Sequence, residues 1–297
     1  MASDYLSYPL REMAPAKVNL SLRIWGRRAG DGYHELSSLV GFANVGDRLF
    51  LKPGPGFNMK VVGPFSQRIV GDNLVYKIGQ ALMKEHGIKD FGDLVLEKNL
   101  PVAAGLGGGS ADAGAFIRLL ARVGGISFSQ NDIMRFGQRF GADVPVCVSS
   151  EPAMMHGIGD VLKPLDHFPS LGILLVNPNV SVSTGAVFKN LAAPKISDDC
   201  AEQEGPQAFA SGDELMVYMQ GQPNDLTLPA LKIAPEIETV LHSLEALQGC
   251  SMARLSGSGA TCFGLFEDEK RAQQAGKLCQ EKHQEWWVCA GKLSGLE

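Results

Sequence analysis

The sequence predicts a mixed α/β protein of two domains, and three observations carry that expectation. Segments of alternating polarity, such as KVNLSLRI at 17–24, recur between segments of helical period, such as the one beginning at Leu74. The length, 297 residues, exceeds what a single hydrophobic core usually serves, so two domains of roughly 100–200 residues are expected. A glycine run at 105–109 opens directly onto an apolar helical pattern, an arrangement suited to holding an anion.

Taken in order, 17–24 alternates well enough for a strand, and GRRAGDG at 26–32 reads as a turn. Residues 33–39 lead toward a second strand at 45–52, which PGPGF ends, and a short strand follows at 59–62. Asp72 and Asn73 sit where an N-cap belongs, ahead of Leu74, Ile78 and Leu82 at helical spacing. Residues 94–96 read as strand and feed the glycine run, behind which Ala115, Phe116, Leu119, Leu120 and Val123 mark a helix. A helix over 129–140 opens S-x-x-D, close to a capping box, and GADVP at 141–145 precedes apolar Val146, Cys147 and Val148. LGILLV at 171–176 is a buried strand closed by Asn177 and Pro178. The acidic stretch 197–212 reads as a surface loop or poorly ordered insertion. A helix at 237–247 precedes a strand–turn–strand pattern, with strands at 253–255 and 262–266 around SGSG at 256–259. A charged-faced helix at 267–283 and a strand at 286–290 complete the chain. The polar region near 150–170 is the best boundary, giving domains 1–165 and 166–297, with the last strand a candidate to return to the first domain.

Composition narrows the function classes. A formal charge of −5 argues against a broad nucleic-acid or anionic-membrane surface, while leaving room for a small anion held by a local nest of donors. The six cysteines form no C-x-x-C pair and the six histidines no H-x-x-x-H pair, so neither a structural zinc site nor a disulfide framework is expected. No uncharged apolar run reaches about 18 residues and no apolar signal core opens the sequence, which points to a cytoplasmic protein.

The segment 100–123, LPVAAGLGGGSADAGAFIRLLARV, is the chemical centre of the sequence. Backbone N–H groups of Gly105, Gly107, Gly108 and Gly109 can approach an anion closely, and the helix behind adds unpaired N–H groups and the positive end of its dipole. Neither G-x-x-x-x-G-K-[ST] nor G-x-G-x-x-G fits, because no lysine follows the run and Ser110 stands where the second pattern needs glycine. On its own the run is equally compatible with a flexible loop.

Four other segments shift that balance: APAKVNL at 14–20, DGYH at 31–34, GADVP at 141–145 and RLSGSGA at 254–260. In this order, with P-x-x-x-G-L-G-G-G-S-A at 101–111, they resemble the GHMP small-molecule kinases over about residues 14–291. The APAKVNL start, together with DGYH and GADVP, is similar, more narrowly, to the branch that phosphorylates the 2-hydroxyl of a diphosphocytidyl-linked methylerythritol in the non-mevalonate route to isoprenoids. The resemblance implies a ribosomal-S5-like N-terminal domain and a ferredoxin-like C-terminal domain. It further implies ATP as co-substrate with Mg²⁺, a small-molecule acceptor, and a monomer or weak homodimer.

Site residues follow from the same resemblance. Asp143 is implied as the general base for the acceptor hydroxyl, with Lys17 beside it; an ammonium there stabilises charge on the transferring phosphoryl group. Pro101, Val102, Ala103, Ala104, Gly105, Leu106, Gly107, Gly108, Gly109, Ser110, Ala111 and Asp112 are implied to hold ATP, with Asn73 on the adenine side. Asn19 is implied at the substrate polyol, Tyr33, His34 and Phe188 around a cytosine, and Thr184 near a diphosphate. The 256–259 turn reads either as support for the phosphate region or as a tight hairpin turn. After Asn224-Asp225-Leu226 the family continues with Glu, whereas this chain has Thr227-Leu228-Pro229, which unsettles the local structure expected there. Two other readings remain: a GHMP kinase for homoserine, mevalonate or a sugar, and a nucleotide-binding regulator without catalysis.

Overall fold

The computed structural model describes residues 4–69, 73–123, 128–196 and 205–294; Asp72, Cys200 and residues 197–204 lie outside them. In chain order the elements are β1 (Leu10–Asn19), β2 (Arg23–Arg28), β3 (His34–Lys52), β4 (Phe57–Val62), α1 (Leu74–His86), β5 (Gly92–Glu97), α2 (Gly108–Val123), α3 (Gln130–Phe140) and α4 (Val144–Ser149). They continue with β6 (Ala153–Gly157), β7 (Val161–Pro164), β8 (Leu171–Asn177), α5 (Thr184–Leu191), β9 (Lys195–Ile196), α6 (Gly212–Gly221) and α7 (Thr227–Leu231). Last come α8 (Glu236–Glu245), β10 (Met252–Leu255), β11 (Cys262–Phe266), α9 (Glu269–Lys282) and β12 (Trp287–Ser294). Two units emerge: one comprises Met1–Ala16, Gly46–Val102 and Gly107–Ser150, the other Lys17–Val45, Ala103–Leu106 and Glu151–Glu297.

In the first unit β5 pairs parallel with β4 and antiparallel with residues 48–52 of β3. Phe57, Phe91 and Phe116 pack as an aromatic cluster, Phe57 stacking on Phe116 at 5.7 Å between centroids, which seats α2 on the strands. The helix ends follow their capping signals. Asn73 Oδ1 accepts the Val75 N–H at 2.8 Å to start α1, and Gly87, at φ +65°, ends it. Ser129 and Asp132 complete a capping box at α3, the one S-x-x-D foretells.

In the second unit the strand order is β10-β11-β8-β12-β3-β2-β9. β8 pairs antiparallel with β11 on one edge and β12 on the other. Both edges are satisfied and Ile173 to Val176 are fully buried, so LGILLV reads as an unbroken apolar run rather than an alternation. Val187, Ile237, Val240, Leu244 and Ala272 from α5, α8 and α9 complete the core with Leu174 and Val176.

Several expectations change. The strand expected over 17–24 is two strands, because Leu22 turns aside to exchange main-chain hydrogen bonds with Pro223 and Asp225. Gly26 is not in a turn: it lies in β2 at a bulge in the pairing with β3, and on the β9 side a Cβ would stand 2.5 Å from the Ile196 side chain. Residues 34–39 and 45–52 belong to one strand, β3. The polar region 153–164 is an antiparallel pair, β6 with β7, and β6 adds to β3. Of the stretch 197–212, the described part is ordered: Phe209 is buried and Ser211 caps α6. Despite Pro229, α7 forms after Leu226, since proline in a first turn removes an N–H with no helical acceptor.

Candidate active site

In the second unit β1 ends in Lys17 and Asn19, only 4% and 7% exposed. Such burial is unusual for lysine, whose head normally reaches water. The Lys17 N–H donates to Leu106 O at 3.0 Å, tying the strand end to the glycine segment. Asn19 N–H donates to Ser256 Oγ at 3.2 Å, and that hydroxyl donates to Gly105 O at 2.8 Å. Thr261 N–H donates to Ala104 O at 3.1 Å. The 256–259 turn therefore braces residues 104–106 as well as joining β10 to β11. Gly105 has to be glycine: its φ is +76°, and a Cβ would stand 2.2 Å from Ser256 O. Asn224 Nδ2 donates to Leu255 O at 2.9 Å and Gly257 O at 2.8 Å, which holds the turn from behind. Thr184 Oγ1 and Ser258 Oγ are hydrogen-bonded at 2.9 Å, so Thr184 meets the same turn.

The DGYH segment is shaped by Asp31, whose carboxylate accepts the Tyr33 N–H at 2.9 Å and pairs with Arg28. The Tyr33 bond, with Arg28, holds that carboxyl below the usual carboxylate range. Gly32, at φ +75°, completes the reversal, and Tyr33 after it is 59% exposed. The His34 ring lies 4.8 Å from that of Phe188, tilted by 41°. Burial, aided by the charge of Arg27, pushes the His34 imidazole below its ordinary value. His34 and Phe188, far apart in sequence, are thus brought together.

In the first unit the glycine run becomes the start of α2. Gly107, at φ +60°, offers its carbonyl to the Ala111 N–H at 2.8 Å, and a Cβ on Gly109 would meet open space. The N–H groups of this first turn have no acceptor within the helix. Beneath it lies a buried charged cluster. Lys98 Nζ donates to Asp112 Oδ2 at 2.7 Å and to Asp47 Oδ2, while Asp47 Oδ1 accepts the N–H groups of Asn99 at 2.5 Å and Leu100 at 2.9 Å. Pro101 and Val102 carry the chain from this cluster toward residues 103–106.

Asp143 stands before α4, after Gly141, whose φ of +144° only glycine adopts readily. The Asp143 side chain makes no cap hydrogen bond to the helix it precedes. A Cβ on Gly141 would stand 4.0 Å from Ser110 Oγ, which places the GADVP segment near the first turn of α2. Two features seat α4 against α2. Gly114 leaves room for the α4 main chain, and Arg118 Nη1 donates to Cys147 O at 2.7 Å and Val148 O at 3.1 Å. Arg118 also reaches Met13 O at 2.6 Å and Glu12 at 2.8 Å.

Lys17, Asn19, Tyr33, His34, Ala103, Ala104, Gly105, Leu106, Thr184 and Phe188 belong to the second unit; Asn73, Pro101, Val102, residues 107–112 and Asp143 belong to the first. Asn73 acts as a helix cap. Sequence reasoning did not mark Lys98, Asp47, Arg118 or Asn224. Only the NDL segment around Asn224 carried a local signal.

The chain matches the model of the GHMP kinases N terminal domain over residues 73–151 and that of the GHMP kinases C terminal over 207–282. It is 44% identical to the 4-diphosphocytidyl-2-C-methyl-D-erythritol kinase of Parvibaculum lavamentivorans, over 98% of this chain and all of that protein. A crystal structure of 4-(cytidine 5'-diphospho)-2C-methyl-D-erythritol kinase superposes with a TM-score of 0.75 at 30% identity, covering 97% of this chain and all of the other. A homoserine kinase from Cytophaga hutchinsonii shares the fold at TM-score 0.66 and 17% identity, over 96% and 94% of the two chains.

Proposed function

This chain belongs to the GHMP kinase family, within its 4-diphosphocytidyl-2-C-methyl-D-erythritol kinases, and from that footing we propose that it transfers the γ-phosphoryl group of ATP to the 2-hydroxyl of that cytidyl substrate. The full-length identity to relatives of that one name carries the reading. In it, Asp143 accepts the hydroxyl proton and aligns the oxygen with the γ-phosphorus, consistent with a carboxylate not spent on capping α4. Lys17 neutralises charge that develops on the transferring group.

Residues 101–112 receive the phosphates through backbone N–H groups and the start of α2, with Asn73 on the adenine side. Tyr33 and Phe188 flank the cytosine, His34 reads its edge, Asn19 meets the polyol and Thr184 the diphosphate. The nucleotide enters as Mg-ATP. The ion is held mainly by the substrate phosphates and water. Residues 1–165 take the nucleotide and 166–297 complete the substrate side. The enzyme works in the cytoplasm as a monomer or weak homodimer; no helix among the described residues is long and apolar enough to cross a membrane.

The test is ADP release from Mg-ATP with 4-diphosphocytidyl-2-C-methyl-D-erythritol, run beside mevalonate, homoserine and galactose. Turnover with the cytidyl substrate alone is expected. Turnover with another alcohol would overturn the cytosine assignment, and nucleotide binding without turnover on any of the four would overturn the kinase.

A further inference from the structure

The glycine segment is anchored at both ends by one buried ammonium. Where the chain leaves β5, Lys98 binds Asp47, and Asp47 fixes the Asn99 and Leu100 N–H groups. Where the chain has entered α2, the same Nζ binds Asp112. The Lys98, Asp47 and Asp112 side chains are 5%, 0% and 4% exposed. Burying three ionisable groups opposes folding unless geometry repays it, and well-packed apolar residues would often serve stability as well. Between the two anchors lie Gly105 and Gly107, at positive φ, and Ala103 at φ +53°. Such a segment loses much conformational freedom when it is ordered.

We propose that Lys98, Asp47 and Asp112 are positioning residues that clamp the two ends of the glycine segment and thereby set the affinity for the nucleotide polyphosphate. The proposal deepens the kinase reading and rests on it for the identity of the anion. Burial, reinforced by the charge of Asp47, outweighs Lys98 and lifts the Asp112 acid well above the carboxylate range. Its Oδ1 has no hydrogen-bond partner among the described residues. Burial works to discharge Lys98, but its two hydrogen-bonded acidic partners, Asp112 and Asp47, together outweigh it and hold its pKa up.

The test titrates the full-length protein with the non-hydrolysable Mg-β,γ-imido-ATP by calorimetry and measures KM for the cytidyl substrate alongside. Asp112→Ala, which cuts the clamp at α2, is expected to weaken nucleotide binding about tenfold, the lower end for loss of a ligand-orienting partner. The KM for the cytidyl substrate stays within about twofold, a split that general loosening of the fold does not produce. Asp112→Asn keeps a neutral side chain with an acceptor for Lys98, and is expected to bind the analogue at least about threefold tighter than Asp112→Ala. A folded Asp112→Ala protein that binds nucleotide like the wild type overturns the clamp, as does an Asp112→Asn variant no better than alanine. Should alanine prevent folding, Lys98→Gln takes its place with the same expected weakening and the same refuting result. If the wild type binds the analogue but phosphorylates nothing, while Asp112→Ala still weakens binding, the kinase reading fails and the clamp stands.

Discussion

Gly114→Ala sets helix propensity against packing. In an isolated helix interior, alanine is favoured over glycine by about 1 kcal/mol. In α2 a Cβ at this position would stand 2.2 Å from Cys147 O, 2.5 Å from Cys147 C and 2.9 Å from Val148 N. Ordinary non-bonded contact begins near about 3.5 Å, so the α4 main chain has to retreat by about 1 Å. These atoms are backbone, and Arg118 holds them through Cys147 O and Val148 O. No rotamer change relieves the overlap. Overpacking of this kind costs about 1–3 kcal/mol, and a hydrogen bond to a charged guanidinium is worth about 1.5–3 kcal/mol if it is lost. Against the propensity gain, the net expectation is destabilisation by about 1–3 kcal/mol. Asp143 precedes α4 directly, so it moves with the helix, and a misplacement of about 1 Å is enough to lower kcat by as much as about 10²-fold. Urea unfolding gives the first quantity, read from the midpoint at constant m-value, and ADP release with saturating substrates gives the second. A Gly114→Ala protein as stable as the wild type or more so, with unchanged kcat, would refute the argument that the α2–α4 contact positions Asp143.

Asp143→Asn is expected to bind the imido-ATP analogue normally while turnover falls at least about 10²-fold, as for loss of a general base; equal activity would remove Asp143 from proton transfer. Tyr33→Ala is expected to weaken cytidyl-substrate binding by about 1–3 kcal/mol through lost stacking, measured as dissociation constant or KM, and unchanged affinity would make the exposed ring incidental. In the proposed reading His34 carries the pH dependence of recognition. Burial first and the charge of Arg27 second lower its pKa, so it gains its proton only at more acidic pH than an ordinary imidazole. KM for the cytidyl substrate is therefore expected to stay constant at neutral and alkaline pH and to rise in acid, and His34→Gln to flatten that rise. A rise that persists unchanged in His34→Gln would contradict this assignment.

Legibility tracked how local the determining interactions are. The caps of α1 and α3 were readable because Asn73, Ser129 and Asp132 bond within three residues of themselves. The fully buried β8 was readable because LGILLV has no polar position to alternate. The strand at 17–24 was misjudged because its interruption comes from a segment two hundred residues away, at 223–225. Gly26 suggested a turn, since composition alone does not say that β9 will lie against it. The α4 helix, Val144–Ser149, is too short to display a helical period.

The sequence by itself determined the glycine turns at 105–107, the reversal at DGYH and the break before Asp143. These depend on backbone conformations that glycine alone adopts easily, at Gly32, Gly105, Gly107 and Gly141, and a φ preference belongs to the residue wherever it lies. Tertiary structure decided what supports those segments. Lys98 meets Asp47 across 51 residues, Arg118 meets Glu12 across 106, and Ser256 meets Gly105 across 151. Each of these pairs joins an ordinary polar side chain to a distant group, and nothing in its own neighbourhood distinguishes it from a solvated surface residue. Only burial, which raises the cost of an unpaired polar atom, gives each of them its partner.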